Sequence, residues 1–199
     1  MTLIEPSKRA GATEALSVVL PYSKERFSLP SGLHIIGTMN TADRSLASVD
    51  IALRRRFIFE EVEPDTSALE GVEVAGVDLG ALLETLNDRI EALLDRDHRL
   101  GQAYLLGLEA GDDISPLRHI FEKQILPLLQ EYFFDDWNRV RLVLNDHRKE
   151  PADQFIIERD NDAKRLFGDA ATQVPQHKRW RLNEQALNRP TAYRSIMAE

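Results

Sequence analysis

The chain contains no cysteine among its 199 residues. This absence excludes disulfide bonds and thiolate-ligated zinc, and it is consistent with a reducing compartment. No apolar run approaches the roughly 20 residues that a membrane-spanning helix requires. The first residues also lack the apolar segment of a secretory signal. We therefore expect a soluble cytoplasmic protein with no membrane partner.

Positive charge is also scarce, with 25 Lys and Arg residues against 33 Asp and Glu residues and a net charge of -8. The chain therefore lacks the domain-wide basic field that holds phosphate backbones, which disfavours non-specific DNA binding by this chain alone but leaves open a local basic patch. Its five histidines show no H-x-x-x-H spacing. The acid pairs Glu60-Glu61 and Asp135-Asp136 would diverge on a strand or a helix. No metal site is predicted.

The first part of the chain has the pattern of an α/β structure. Two short apolar segments, 16–22 and 26–29, flank a polar turn and predict a β-hairpin. LHIIGTM (33–39) is a nearly continuous apolar run, typical of a central strand that is covered on both faces. A helical stripe follows from Ser45, and FIFEEV (57–62) predicts a further strand. Strand, helix and strand in this order predict a parallel βαβ unit.

The second part has helical periodicity. Leucine and isoleucine residues between 79 and 94 form one stripe, with Asp78 as the predicted N-cap. Ser115 followed by Pro116 predicts the start of another helix, which Pro127 should interrupt or restart because proline lacks the N–H of an interior turn. Residues 128–144 are expected to continue as helix, with Tyr132, Phe133 and Val140 inward and the aromatic set Tyr132, Phe133, Phe134 and Trp137 in the core.

These patterns predict an α/β plus α fold with three parts. Residues 1–64 form the α/β part, 65–77 a linker, and 78–199 a helical part with an irregular extension. Within that extension FIIE (155–158) and RWRL (179–182) are predicted to be short strands.

Polar side chains are concentrated immediately after the apolar run 33–39. Ligands in open α/β sheets bind outside the carboxyl ends of the strands, so this position predicts a site. Thr41 and Asp43 could instead cap the following helix, where an oxygen accepts from unpaired backbone N–H groups. Capping leaves Asn40 and Arg44 without a structural role. Spacing alone does not decide between the two interpretations.

Three consecutive arginines, Arg54-Arg55-Arg56, end the predicted helix of this unit. Cations at a helix C-terminus complement the negative end of the helix dipole. Arginine also binds phosphate oxygens through its planar, permanently charged guanidinium group. Spacing cannot separate a solvated helix end from an arginine finger.

The segment LHIIGTMNTADRSLASVDIALRRRF (33–57) closely resembles the sensor-1-to-arginine-finger region of McrB-type AAA+ proteins. Those proteins are the GTP-hydrolysing motor subunits of restriction systems that recognise methylated cytosine. The segments LNDRIEALLDRDHRLGQAYLL and FEKQILPLLQEYFFDDWNRVRLVL are similar to the helical lid of the family. The resemblance implies a partial AAA+ core, with a sensor-1 strand, an arginine-finger helix and a following strand, and a C-terminal lid.

The resemblance also implies roles for the polar strand end. Asn40 would be the sensor-1 residue that positions the attacking water beside the γ-phosphate. Thr41, Ala42 and Asp43 complete the NTAD signature associated with guanine nucleotides, and Arg44 adjoins that nucleotide-binding signature.

Arg55 and Arg56 resemble the residues that an AAA+ subunit offers to its neighbour's nucleotide, and the resemblance does not choose between them. An arginine supplied in trans stabilises charge that develops during phosphoryl transfer, worth about 10³–10⁵ in rate in other systems. The implied partners are other AAA+ subunits in a ring, expected to be hexameric, and an McrC-like nuclease. DNA would be engaged only through the full assembly.

The chain departs from the family pattern in what should hold the nucleotide. A phosphate-binding loop requires a Gly-Lys step, and no Gly-Lys dipeptide occurs in the sequence. No acid-tipped Walker B strand precedes residue 33. We therefore expect GTP or ATP with Mg²⁺ to bind only in a complete protein, and this chain to be inactive alone. The alternative is a non-catalytic remnant that docks on complete AAA+ subunits. His98 and Arg99, in the variant lid segment DHRLGQAYLL, are expected to be solvated surface residues.

Overall fold

The structure is a computed structural model that describes residues 2–39, 54–159, 163–173 and 178–198. The chain divides into two compact units, Met1–Val62 and Glu63–Glu199. No helix within the described ranges is long and apolar enough to cross a membrane.

The first unit begins with 3₁₀ turns at Thr2–Ile4 and Pro6–Lys8, followed by a small antiparallel hairpin. Its strands are β1 (Val18–Val19) and β2 (Arg26–Phe27), with Val18 opposite Phe27. The predicted hairpin is confirmed, although its strands are shorter than the apolar segments.

The predicted strands at 33–39 and 57–62 are wrong, because neither segment pairs with a strand in the described part of the chain. Both segments are exposed: Ile36 is 94% and Ile58 is 92% accessible. A central strand requires neighbours along both edges and cover on both faces. The described residues of this unit provide only the β1–β2 hairpin. The helix predicted between these segments lies mostly outside the described residues, so the βαβ unit is not observed.

The second unit begins where a linker was expected. Residues 65–77 form a 3₁₀ turn (Thr66–Leu69) and a tight hairpin of β3 (Glu73–Val74) with the strand β4 (Val77–Asp78). Leu69, Val74 and Val77 are fully buried, so this segment belongs to the core of the unit and not to a linker. The hairpin turn has positive φ at both central residues, as its right-handed strand twist requires.

Helix α1 (Leu79–Leu93) follows directly, and Asp78 Oδ1 accepts a hydrogen bond from Ala81 N at 2.9 Å. The predicted N-cap is therefore confirmed. The stripe of α1 faces the core as predicted, with Leu82, Leu86 and Ile90 fully buried.

Helix α2 (Ile114–Ile120) starts two residues earlier than predicted, because Asp113 and not Ser115 is its N-cap. The Asp113 carboxylate accepts from Ser115 N at 2.8 Å, and its negative charge also suits the positive end of the helix dipole. The helix continues into a π-helical turn (Phe121–Ile125) and then into α3 (Leu126–Tyr132). Pro127 is the second residue of α3, so the α-helix restarts there after the π-helical turn and is not interrupted.

Residues 128–144 do not form one continuous helix. Phe134 and Asp135 have φ values of 50° and 61°, which end α3, and α4 (Trp137–Val143) starts afresh with Asp136 as its N-cap. The Asp136 carboxylate accepts from the backbone N–H groups of the first turn. Phe133 and Val140 are buried and Tyr132 is partly buried, as predicted, whereas Phe134 is 87% exposed and is not a core residue.

The C-terminal part combines a two-stranded sheet with short helices. Strands β5 (Ile156–Arg159) and β6 (Arg179–Leu182) pair antiparallel, which confirms both predicted strands. The remaining elements are, in chain order, a 3₁₀ turn Pro151–Asp153, α5 (Ala163–Phe167), a 3₁₀ turn Gly168–Gln173, α6 (Glu184–Leu187) and α7 (Pro190–Arg194).

An aromatic cluster lies at the centre of the second unit's core. The Phe121 ring lies 5.9 Å from that of Phe155 and 4.9 Å from that of Tyr193, measured between centroids. The Tyr193 hydroxyl donates to Leu187 O at 2.8 Å, so its polar end is satisfied inside the core. This cluster connects the π-helical turn, the residue that precedes β5 and the C-terminal α7.

Candidate functional site

Four of the six predicted site residues, Asn40, Thr41, Asp43 and Arg44, lie outside the described residues. Their roles therefore stay predictions. The other two, Arg55 and Arg56, lie in the described part of the first unit, and their surroundings differ.

Each of the three consecutive arginines has a different environment. Arg54 lies over the ring of Phe59, with the guanidinium carbon 5.3 Å from the ring centroid. Arg56 donates through Nε to Glu5 Oε1 at 2.8 Å, and a second, shorter bond joins its Nη2 to the same oxygen. Arg55 is exposed and forms no ion pair, hydrogen bond or ring contact with the described residues. Thus the guanidinium group of Arg55 has no contact partner among the described residues, whereas those of Arg54 and Arg56 contact other residues of the unit.

This arrangement can present one arginine to an anion outside the unit. The Arg56–Glu5 pair is partly buried, with side-chain exposures of 17% and 32%, and it fixes the backbone next to Arg55. An exposed guanidinium group keeps all its donors available for phosphate oxygens. The sequence could not separate Arg55 from Arg56, because the partner that distinguishes them, Glu5, lies 51 residues away.

His98 is not a solvated surface residue as expected, because its ring is buried in the second unit with 7% of the residue exposed. Its Nδ1 lies 2.6 Å from Asp95 Oδ1, and its ring meets the edge of Tyr132 at 4.8 Å. Asn87 supports the same loop by donating to Leu100 O at 2.9 Å and accepting from Leu100 N. These contacts give His98 a structural role in the loop that follows α1.

Arg99 also departs from the expected solvated role. Its side chain is 19% exposed and donates to Arg96 O at 3.1 Å. Glu63 and Glu91 lie within 3.5 Å and 3.8 Å of its guanidinium nitrogens. Arg99 is therefore engaged within the unit.

A buried ion pair that sequence reasoning missed lies directly after α4. Lys149 Nζ is 3.1 Å from Asp146 Oδ1, and the two side chains are 1% and 0% exposed. The other carboxylate oxygen accepts from Ile156 N at 2.7 Å, and the Lys149 ammonium lies 4.2 Å from the Phe155 ring centroid. The pair therefore connects the end of α4 with β5. Its only sequence signal was an Asn-Asp step after an apolar helix.

Burial shifts the ionisation of both members of this pair in opposite directions. Desolvation raises the pKa of Asp146, and it lowers the pKa of Lys149 to about 8 although Asp146 opposes that change. A cavity of about 360 Å³ adjoins Lys149, and its lining carries both cations and carboxylates, including Arg148 and Asp153. Because this lining carries charges of both signs, it does not indicate whether a ligand would be an anion or a cation. Among the described residues, no group of three or more acidic or histidine side chains could hold a metal ion.

The second unit matches a known protein family. Residues 78–141 match the family described as McrB, alpha-helical lid domain. The match covers α1 to α4 up to residue 141, together with the loop that contains His98. It therefore identifies the helical elements whose packing is described above.

One curated relative is the Type IV methyl-directed restriction enzyme EcoKMcrB subunit of Escherichia coli (strain K12). It is 44% identical over 154 residues, a match that covers 68% of this chain. The chain spans about a third of the length of this relative. The family match and this identity agree on the same type of protein. The chain therefore belongs to the McrB type, corresponds to its C-terminal portion, and carries the McrB α-helical lid at residues 78–141.

Proposed function

We propose that the chain is the C-terminal part of a nucleotide-hydrolysing AAA+ motor subunit in a modification-dependent DNA restriction system. The observation that carries this proposal is the 44% identity with a methyl-directed restriction enzyme subunit over 154 residues. GTP or ATP with Mg²⁺ would be held by the complete protein. In its assembly, the partners would be further AAA+ subunits in a ring and an McrC-like nuclease.

Within that motor the chain supplies Asn40 as sensor 1 and Arg55 as the finger offered to the neighbouring subunit. The exposed guanidinium group of Arg55 supports this choice, because Arg56 is held by Glu5. Arg56 would be a positioning residue that fixes the backbone beside Arg55. Thr41, Asp43 and Arg44 would contact the nucleotide beside Asn40.

Complementation of a complete McrB-type subunit tests the finger. The subunit carries alanine at its own finger position, so its hydrolysis of GTP is low, and the purified chain is added to it. We expect the unchanged chain to restore hydrolysis. The chain with Arg55→Ala should give a rate of hydrolysis at least 100-fold lower than the unchanged chain gives. Arg54→Ala is the matched control and should keep most of the restored rate. Equal losses for Arg54→Ala and Arg55→Ala would contradict the assignment.

A second candidate function is a non-catalytic module that docks on complete AAA+ subunits. The absence of a Gly-Lys step in the sequence favours it, because the chain has no phosphate-binding loop of its own. The genomic DNA upstream of the codon for Met1 separates the two candidates. An in-frame phosphate-binding loop supports the motor subunit, and its absence supports the docking module.

A further inference from the structure

An open groove lies beside α3 in the second unit. Its volume is about 810 Å³, and α3 lines it with Leu128 and Pro127, opposite Tyr104 of the preceding loop. Gln124 of the π-helical turn also lines it. The helix departs from regular α geometry at the π turn, and such turns are frequent at functional sites. The groove therefore lies beside an irregular turn of the helix.

Phe134 lies at the edge of this groove in an unfavourable conformation. Its φ of 50° falls in the left-handed region, which bulky side chains avoid and which Gly or Asn normally occupies. The residue is also 87% exposed, so no burial of the ring compensates for the strain. A strained and exposed aromatic residue points to a role outside folding.

The turn that carries Phe134 is held in place by hydrogen bonds. Asp135 N donates to Gln130 O at 3.0 Å, and Gln130 Nε2 donates to Asp135 Oδ1 at 2.6 Å. Asp136 then caps α4. The ring of Phe134 is therefore presented from a fixed backbone, which lowers the entropic cost of using it as an anchor in an interface.

The charge of the groove indicates what it binds. Glu131 and Asp135 are exposed carboxylates of its lining, and none of the lining residues is basic. The Glu131 carboxylate forms no ion pair or hydrogen bond with the described residues, so its charge is available to a partner. Carboxylates repel the phosphates of a nucleic acid and attract ammonium or guanidinium groups.

We propose that this groove, which we name the Phe134 groove, docks a protein segment in which a basic side chain neighbours an apolar one. The basic side chain pairs with Glu131 and Asp135. The apolar side chain packs against Phe134 and the aliphatic floor at Leu128. This interaction surface is independent of the proposed arginine finger.

Three blocked peptides test the proposal by titration calorimetry with the intact chain: Leu-Arg-Leu-Arg-Leu, the same peptide with Gln for Arg, and the same with Glu for Arg. We expect saturable binding of the Arg peptide, at least tenfold weaker binding of the Gln peptide, and none of the Glu peptide. A higher salt concentration should weaken binding of the Arg peptide, because its charges stay partly solvated in the groove and are screened. Equal binding of all three, or none up to millimolar peptide, would overturn the proposal.

Substitutions locate the binding on the chain. Phe134→Gly should weaken binding of the Arg peptide at least tenfold. It should also raise the melting temperature of the chain, because glycine adopts the positive φ without strain. Phe134→Asn, which also tolerates this conformation, should give the same loss of binding. Glu131→Gln with Asp135→Asn should remove the salt dependence. Tyr22→Ala is the matched control, since Tyr22 is 97% exposed and lies in the first unit.

Three results would contradict this assignment. A lower melting temperature for Phe134→Gly and Phe134→Asn would make the ring structural. Self-association of the chain that Phe134→Gly abolishes would assign the groove to a second copy. Binding of duplex DNA that Phe134→Gly abolishes would assign it to nucleic acid.

Discussion

The two units contain similar apolar side chains but differ in how far they bury them. In the second unit, Leu82 and Leu86 are 0% exposed, and the aromatic cluster at Phe121 is closed on every side. In the first unit, Ile36 and Ile58 are more than 90% exposed. The second unit contains opposed helices and a sheet that cover each other, whereas the described residues of the first provide one short hairpin. Burial is thus decided by what lies opposite a side chain, and not by its hydrophobicity alone.

The largest expected effect is a substitution in the aromatic cluster. Phe121→Ala should lower the free energy of unfolding by about 3–5 kcal/mol, because it removes buried apolar surface and leaves a cavity between Phe155 and Tyr193. Ile36→Ala is the matched change in the first unit and should stay within about 0.5 kcal/mol. Urea unfolding followed by circular dichroism measures both. Similar losses for the two variants would contradict the contrast between the units.

The elements that could be predicted from the sequence are those fixed by neighbouring residues. The cap at Asp78, the stripe of α1 and the restart of the helix at Pro127 depend on spacing within one or two turns, and all three are confirmed. The strand predicted at 33–39 failed because its pattern requires covering elements that are absent from the described residues. The continuous helix through Phe134 failed because a positive φ at a phenylalanine contradicts local preference.

The buried contacts of the second unit could not be predicted because they join distant residues. Asp146 accepts from Ile156 N, ten residues later, and no periodicity marks that contact. The same limit applied to Arg55 and Arg56, which only the distant Glu5 distinguishes. Asn40 and its polar neighbours lie outside the described residues, so the strand-end site stays a prediction.

A second prediction concerns the buried ion pair of the second unit. Lys149→Met should destabilise the fold by about 3–5 kcal/mol, since it leaves the Asp146 charge buried without a counterion. The double variant Asp146→Asn with Lys149→Met should recover most of that loss, because the amide oxygen can still accept from Ile156 N. Thermal unfolding of both variants measures the difference. An equal loss in the single and double variants would show that the packing of Lys149, and not its charge, matters.

The same pair predicts a pH dependence. The pKa of Lys149 is lowered from 10.5 to about 8 in the folded chain, so the unfolded chain binds the proton more tightly. Stability should therefore rise as pH increases from 7 to 9.5, by about 2 kcal/mol, because the folded chain gives up its proton near pH 8 while the unfolded chain keeps it until about pH 10.5. The double variant without either charge should lack this rise. Urea midpoints at several pH values measure it, and parallel pH profiles for both proteins would refute it.

The smallest expected effect lies in the first unit, at the pair between Arg56 and Glu5. Both side chains are partly solvated, so water and salt screen the attraction that burial preserves between Asp146 and Lys149. Arg56→Ala should therefore lower the stability of the first unit by less than about 1 kcal/mol. Hydrogen exchange at Ala10 N, which donates to Leu29 O at 2.8 Å, reports on this unit directly. A loss above about 2 kcal/mol would contradict this expectation, because it would show that solvent does not weaken the pair between Arg56 and Glu5.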